Sequence, residues 1–256
     1  MIKRIEAHFR ELTRATVAAA REHGVEGAAM IEEGGSHGMF CGPESVLTQA
    51  SGSFAPAEVE VIDRFFVERG TGWEAIVTPH ADPGALDALI ALGGRAIGWE
   101  NLLARKVEAM ERPTDAVIVQ VDGDLAHLWA EVSATAFHGD AITDQHRIPN
   151  RIGSLTANTR LYLAYVDGVP AGAGAVSVFE RVAFLGFMAT FAEYRGRGIQ
   201  SAMIARRLTD VVGEADYAIL GATPSGPSER NAQRLGFSVV YSSLSLRMPN
   251  STRRDR

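Results

Sequence analysis

Two segments about 140 residues apart follow one pattern, and this repeat constrains the fold more than any other feature of the chain. WEAIVTPHADPGALDALIALGG and DYAILGATPSGPSERNAQRLGF each read as strand, Thr-Pro, polar turn, helix and a closing Leu-Gly. Ahead of the first, Ser53-Phe54-Ala55-Pro56 opens the helix EVEVIDRFFVERG; ahead of the second, Thr190-Phe191-Ala192-Glu193 leads to a later helix. Strand-rich pieces follow both, RAIGWENLLARKV and SVVYSSLSLRM. The chain therefore reads as a duplication with its boundary near Glu111-Arg112-Pro113-Thr114. That gives an N-terminal unit over residues 1–112, a second over 113–248, and a polar tail over 249–256 that is expected to be disordered.

With 256 residues, 46% of them hydrophobic and 22% charged, the chain can bury a sizeable core and has an ordinary globular composition. No apolar run approaches the roughly 20 residues of a membrane span. The N-terminal MIKRIEAHFRELTRATVAAAREHG reads as an amphipathic helix and lacks the apolar centre of a signal peptide. The whole chain's net charge of −6 gives no broad basic footprint for nucleic acid. The single Cys41 excludes an intrachain disulfide and is expected to be a small buried residue of a protein in a reducing compartment, the cytoplasm.

The second half is clearly punctuated. Residues 116–121 form a strand closed by Asp122-Gly123, and Asp124 can cap the helix DLAHLWAEVSATAF, which Gly139 ends. A weaker helix over TDQHRIPNRIGSL precedes three strand-like runs joined at Asp167-Gly168 and Glu180-Arg181. After a loop and a helix come the strand ADYAILGA, a helix through SERNAQRL ended by Gly236, and two strand-like runs in FSVVYSSLSLRM. The order β-α-α-β-β-β-α-β-α-β-β is a mixed α/β sheet, not a regular βα repeat.

The loop is Arg195-Gly196-Arg197-Gly198, directly before the amphipathic run IQSAMIARRL. Glycine-rich turns at helix starts present converging N–H groups to an anion, and Arg195 and Arg197 can add charge-assisted bonds to phosphate. Alone, the motif fits a solvated turn equally well. A Walker loop requires Gly-Lys-Ser/Thr, which is absent. The dinucleotide fingerprint fails on context, because antiparallel-looking strands precede the loop and Asp216 begins, instead of ending, the next strand.

The stretch Arg195-Gly196-Arg197-Gly198-Ile199-Gln200 resembles the loop Arg/Gln-x-x-Gly-x-Gly/Ala of the GNAT superfamily of acyl-CoA-dependent N-acetyltransferases, with Gln200 in place of the small last residue. SERNAQRLGFSVVY is similar to that family's next motif, and LYLAYVDGVPAGAGAV to its second and third strands. The resemblance covers about residues 114–248. It implies a C-terminal GNAT fold preceded by a smaller, degenerate GNAT-like copy. It also implies a donor site for acetyl-CoA in which the amides around Arg195, Gly196, Arg197, Gly198, Ile199, Gln200 and Ser201 hold pyrophosphate. Met188, Ala189 and Thr190 would offer main-chain groups to the pantetheine arm by strand addition, with Asn231 beside it. No metal is implied.

Chemistry would be direct attack of a neutral amine on the thioester, aided by proximity, a backbone N–H for the oxyanion and a base for the proton. Many relatives place a tyrosine four residues before the glycine of Gly-Phe as the acid; here that position is Ala232. Ser228 and Tyr241 are the nearest hydroxyl candidates, Glu180 is a candidate base, and His138, Asp144 and His146 are candidate wall residues of the acceptor pocket. In the first half, Ala55-Pro56-Ala57-Glu58-Val59 replaces the loop: Pro56 lacks an amide donor, Glu58 and Glu60 would repel phosphate, and Gly34-Gly35 and Gly38 read as a hairpin. The expected function is transfer of an acetyl or longer acyl group to a small-molecule amine, by a monomer or homodimer. The alternative is an acyl-CoA sensor or scaffold whose catalytic acid has decayed.

Overall fold

Helix α1 (Ile2–Glu22) buries Ile5, Val17, Ala19 and Ala20 along one face, the outcome its apolar spacing predicts. The computed structural model describes residues 1–250 and shows what that face covers. Ile5 joins Leu102, Ala104, Val182 and Ile219, residues from both halves of the chain. The expected tail lies, from residue 251 on, outside the described residues.

The N-terminal half continues with β1 (Ala29–Glu33), β2 (Ser36–Phe40), β3 (Gln49–Gly52), α2 (Pro56–Val67), β4 (Trp73–Val77), α3 (Pro83–Ala91) and β5 (Arg95–Lys106). Gly34-Gly35 is the two-residue turn of the β1–β2 hairpin. The C-terminal half runs β6 (Val117–Val121), α4 (Leu125–His138), α5 (Asp144–Leu155), β7 (Thr159–Val166), β8 (Val169–Phe179), β9 (Val182–Thr190), α6 (Ile199–Asp210), β10 (Tyr217–Ala222), α7 (Pro227–Arg234) and β11 (Ser238–Met248). Its hairpin turns, Asp167-Gly168 and Glu180-Arg181, have positive φ at both positions, as the right-handed strand twist favours. Asp124 precedes α4 but makes no side-chain capping bond.

All eleven strands form one sheet in the order β1-β2-β3-β4-β11-β5-β10-β9-β8-β7-β6. Its two flanks mirror each other: β3 runs parallel to β4, and β9 runs parallel to β10. The middle is an exchange. β5, the last strand of the first half, pairs antiparallel with β10, while β11, the last of the second half, pairs antiparallel with β4. The two exchanged strands also pair with each other. The two runs expected in FSVVYSSLSLRM are thus one strand, because a bulge between Val239 and Tyr241 interrupts the alternation without ending the pairing. One core lies around Phe54, Ile62, Phe66 and Trp73, another around Leu103, Ile204, Leu208 and Phe237. Leu246 and Met248 of β11 belong to the former, and Leu103 of β5 to the latter. Each half therefore completes the other's core.

Candidate active site

Local geometry at the arginine–glycine loop follows from its glycines. Gly196 and Gly198 have φ of +80° and +77°, in the left-handed region that side chains avoid. Gly198 is the N-cap of α6, whose first hydrogen bond runs from Ala202 N–H to Gly198 O. The amides of residues 196–201 thus stand ahead of the helical ladder, at the positive end of a twelve-residue helix. Arg197 is held by an ion pair to Asp115, and its carbonyl accepts from Thr114 Oγ1 at 3.2 Å. Arg195 lies on the other side, its Nε 3.3 Å from Thr190 O. Gln200 has a partner that explains its departure from a small residue: Asn231 Nδ2 donates to Gln200 Oε1 at 2.9 Å, and Ser201 Oγ donates to Asn231 Oδ1 at 2.8 Å. Ser228 completes this bridge between α6 and α7, 3.4 Å from Gln200 Nε2.

Beside the loop the sheet opens. β9 pairs with β10 only from Val182↔Tyr217 to Phe184↔Ile219; beyond Phe184 the two strands part. The β10-facing edge of residues 185–190, including Met188, Ala189 and Thr190, has no strand partner, while its other edge is held by β8. A bulge marks the parting, with Phe187 at φ +50°, an uncommon conformation for a bulky residue. Arg207, fully buried on α6, fixes this bulge from beneath: Nη1 donates to Ala175 O at 2.6 Å and Gly186 O at 3.2 Å, and Nε donates to Met203 O at 3.1 Å. Burial lowers its pKa to about 9, so it remains a cation at neutral pH.

The mirror-related place in the first half is closed. Parallel pairing of β3 with β4 runs the whole of β3, Gln49↔Glu74 to Gly52↔Val77. Thr78 Oγ1 then donates to Gly52 O at 3.2 Å, and the Asp82 amide donates to Phe54 O at 2.8 Å. At the start of α2, where the second half has its loop, the Glu58 carboxylate accepts from Gly35 N–H (3.2 Å), Ala55 N–H (3.3 Å) and Ser36 Oγ (2.9 Å). The anion at this helix start belongs to the chain itself.

A cavity of about 480 Å³ lies between the halves, within the range typical of small-molecule sites. Glu6 and Phe9 of α1, Glu100 of β5, Gly186 and Phe187 of β9 and Tyr241 of β11 all line it. Glu100 is exposed within the cavity, next to Gly221 and Tyr241. Partial desolvation by the cavity wall, reinforced by Glu74, raises its carboxyl above the usual range. Burial, with Glu6 and Glu100 nearby, pushes the Tyr241 hydroxyl up to about 12, so it is protonated at neutral pH.

Of the candidates singled out in the sequence, His138, His146 and Tyr241 line this cavity. The two imidazoles stack 4.0 Å apart, and burial with the neighbouring His146 lowers the pKa of His138. His146 Nδ1 accepts from Thr143 N–H at 3.1 Å, capping α5. Asp144 instead reaches Arg147 at 3.4 Å. Glu180 sits in the β8–β9 turn outside the cavity wall, where its carbonyl accepts from Arg4. Ser228 is part of the α6–α7 bridge and also lies outside it. Ala232 is buried in the core of the second half. Sequence reasoning missed Glu100 and Arg207. Arg207 left a signal, since Ile199, Met203 and Arg207 lie four apart on one stripe of α6 and place a charge on its buried face.

No protein-family model matches the chain, and no curated protein matches it. Solved structures do. A GCN5-related N-acetyltransferase from Kribbella flavida is 22% identical with a TM-score of 0.66, over 94% of this chain and 97% of its own. A tandem GNAT protein from the clavulanic acid biosynthesis pathway is 13% identical with a TM-score of 0.63, over 92% and 87%. A GCN5-related N-acetyltransferase from Sphaerobacter thermophilus is 13% identical with a TM-score of 0.62, over 94% and 92%. These likenesses span both halves: the chain has the GNAT fold, and one of the structures it resembles over most of its length is a tandem GNAT protein.

Proposed function

We propose that the protein is an acyltransferase that moves an acetyl group from acetyl-CoA to the amine of a small molecule, directly and within a ternary complex. The observation that carries this reading is the inequality of the two halves. In the second half both the helix-start amides of 196–201 and the inner edge of β9 are open; in the first, Glu58, Thr78 and Asp82 occupy the matching places. An extended donor with a pyrophosphate group matches one open strand edge next to one open anion site. The second half would hold the donor and the shared cavity the acceptor, with units meeting near residue 112.

In this reading the enzyme supplies orientation first. A β9 main-chain amide near the Phe187 bulge would face the developing oxyanion, and Arg207 keeps that bulge in shape. Ala232 offers no proton to the departing thiolate, so that proton comes through solvent or from Tyr241. The test is release of free thiol from acetyl-CoA in the presence of a broad amine panel. Turnover supports the proposal. Acetyl-CoA binding without turnover would favour a sensor, the second reading that Ala232 motivates. No binding would overturn both.

A further inference from the structure

We infer that the acceptor is a largely apolar molecule bearing one primary amine, and that Glu100, carried by the exchanged strand of the N-terminal half, receives that amine. The inference rests on the transfer reading above and adds to it the acceptor's chemistry and the base. Glu100 lies where the parted strands begin: a Cβ on Gly221 of β10 would come within 2.6 Å of the Glu100 carboxyl carbon. Gly221 thus leaves the room that the carboxylate fills. Ser243 Oγ, 3.3 Å from Glu100 O, holds the main chain there. Gly186, on the other parted strand, lines the same cavity.

The remaining wall sets the acceptor's character. Phe9, Leu12, Met39, Ile76, Phe137 and Phe184 make most of it apolar. Of its charged groups, Arg10 lies 3.5 Å from Glu32, a carboxylate it shares with Arg14 at 3.0 Å. Burial holds His37 at a pKa of about 4, so this imidazole is neutral. Glu6 and Glu100 have no cationic partner among the described residues. One ammonium at that end is therefore matched, whereas a second farther along would be desolvated against aromatic and aliphatic side chains without a counter-charge.

The bound ammonium gives one proton to Glu100, and the neutral nitrogen attacks the thioester carbon. The C–N bond forms and the C–S bond breaks. Coenzyme A leaves with the electron pair and takes the second amine proton through solvent, after which Glu100 returns its proton to water. Groups facing Glu100 from neighbouring elements are Glu74 on β4, itself 3.7 Å from Arg247, and Tyr241 on β11, which Glu6 on α1 also faces across the cavity. The Glu74 carboxylate favours protonated Glu100, which moves the acid limb of activity upward from the ordinary glutamate range.

The test compares phenethylamine and hexylamine with spermidine and an aminoglycoside, at saturating acetyl-CoA. The monoamines are expected to have the higher kcat/KM by about 100-fold. Glu100→Gln should lower kcat/KM for the monoamines about 100-fold or more and abolish the acid limb, with unchanged acetyl-CoA affinity and melting temperature. Gly221→Ala, which displaces the carboxylate but keeps it, should lower activity less and retain the limb. Wild-type turnover with a preference for the polyamine, or a Glu100→Gln enzyme within threefold of wild type with its acid limb intact, overturns the inference and leaves the transfer reading standing. Thiol release with no amine at all overturns the transfer reading itself.

Discussion

His8 shows how a single side chain sets a property of the whole protein. It is sealed on the buried face of α1 among Phe9, Phe179 and Phe184, with Nδ1 3.3 Å from Phe179 O, and burial lowers its pKa to about 4. Its folded value lies below its unfolded value, so the unfolded chain binds the proton first. Stability is full above about pH 6.5 and falls as pH drops from there towards 4. A depression of that size corresponds to about 3 kcal/mol at the lower limit. Denaturant titrations at about pH 7 and about pH 5 should show the loss, and His8→Phe should reduce it. An unchanged pH dependence in that variant would contradict the assignment. His37 acts in the same direction. Arg207 is a different case, a buried cation paired with no carboxylate among the described residues but held by carbonyl oxygens.

At the scale of elements, the two helix starts of α2 and α6 show what the same framework does with different residues. α6 begins on left-handed glycines and keeps its amides open, whereas α2 begins on Pro56 and fills the matching place with Glu58. Glu58→Ala removes three hydrogen bonds at a helix N-terminus and should cost about 1–3 kcal/mol in a thermal or chemical melt. Acetyl-CoA affinity should stay as in the parent, because that helix is not the donor's. Much of this was legible in the sequence. Glycine spacing announced the α6 turn, Pro56 and Glu58 announced the loss of the first loop, and the Thr-Pro-to-Leu-Gly pattern announced the paired elements. Gln200 was legible only as a departure, since its partners Asn231 and Ser228 lie on another helix. The single β11 was hidden because its bulge breaks the two-residue period that marks a strand.

For the whole molecule the exchange of β5 and β11 is the governing feature, and local sequence could not reveal it. Either strand has the same alternation whichever sheet flank it joins; the choice of partner resides in contacts such as Leu246 and Met248 with Trp73. Glu100 escaped notice for this reason. It belongs by sequence to the first half, on a strand that pairs with β10 from Asn101 to Lys106, and its own register partner is Ser243 of β11, the strand exchanged from the second half. The exchange predicts that residues 1–112 and 113–256, made separately, each lack a central strand and fail to give a cooperative unfolding transition. Made together, they should recover a single complex that melts cooperatively. Independent cooperative folding of either piece would contradict this view of the core.

The most direct measurement is calorimetric titration of the protein with acetyl-CoA, alongside Gly198→Asp and Glu58→Ala. One site per chain is expected, retained by Glu58→Ala. Gly198→Asp should lose that site, because there a side chain and a negative charge enter the helix-start amides at φ +77°. Two sites per chain, or a Gly198→Asp protein that folds normally and keeps its affinity, would contradict it.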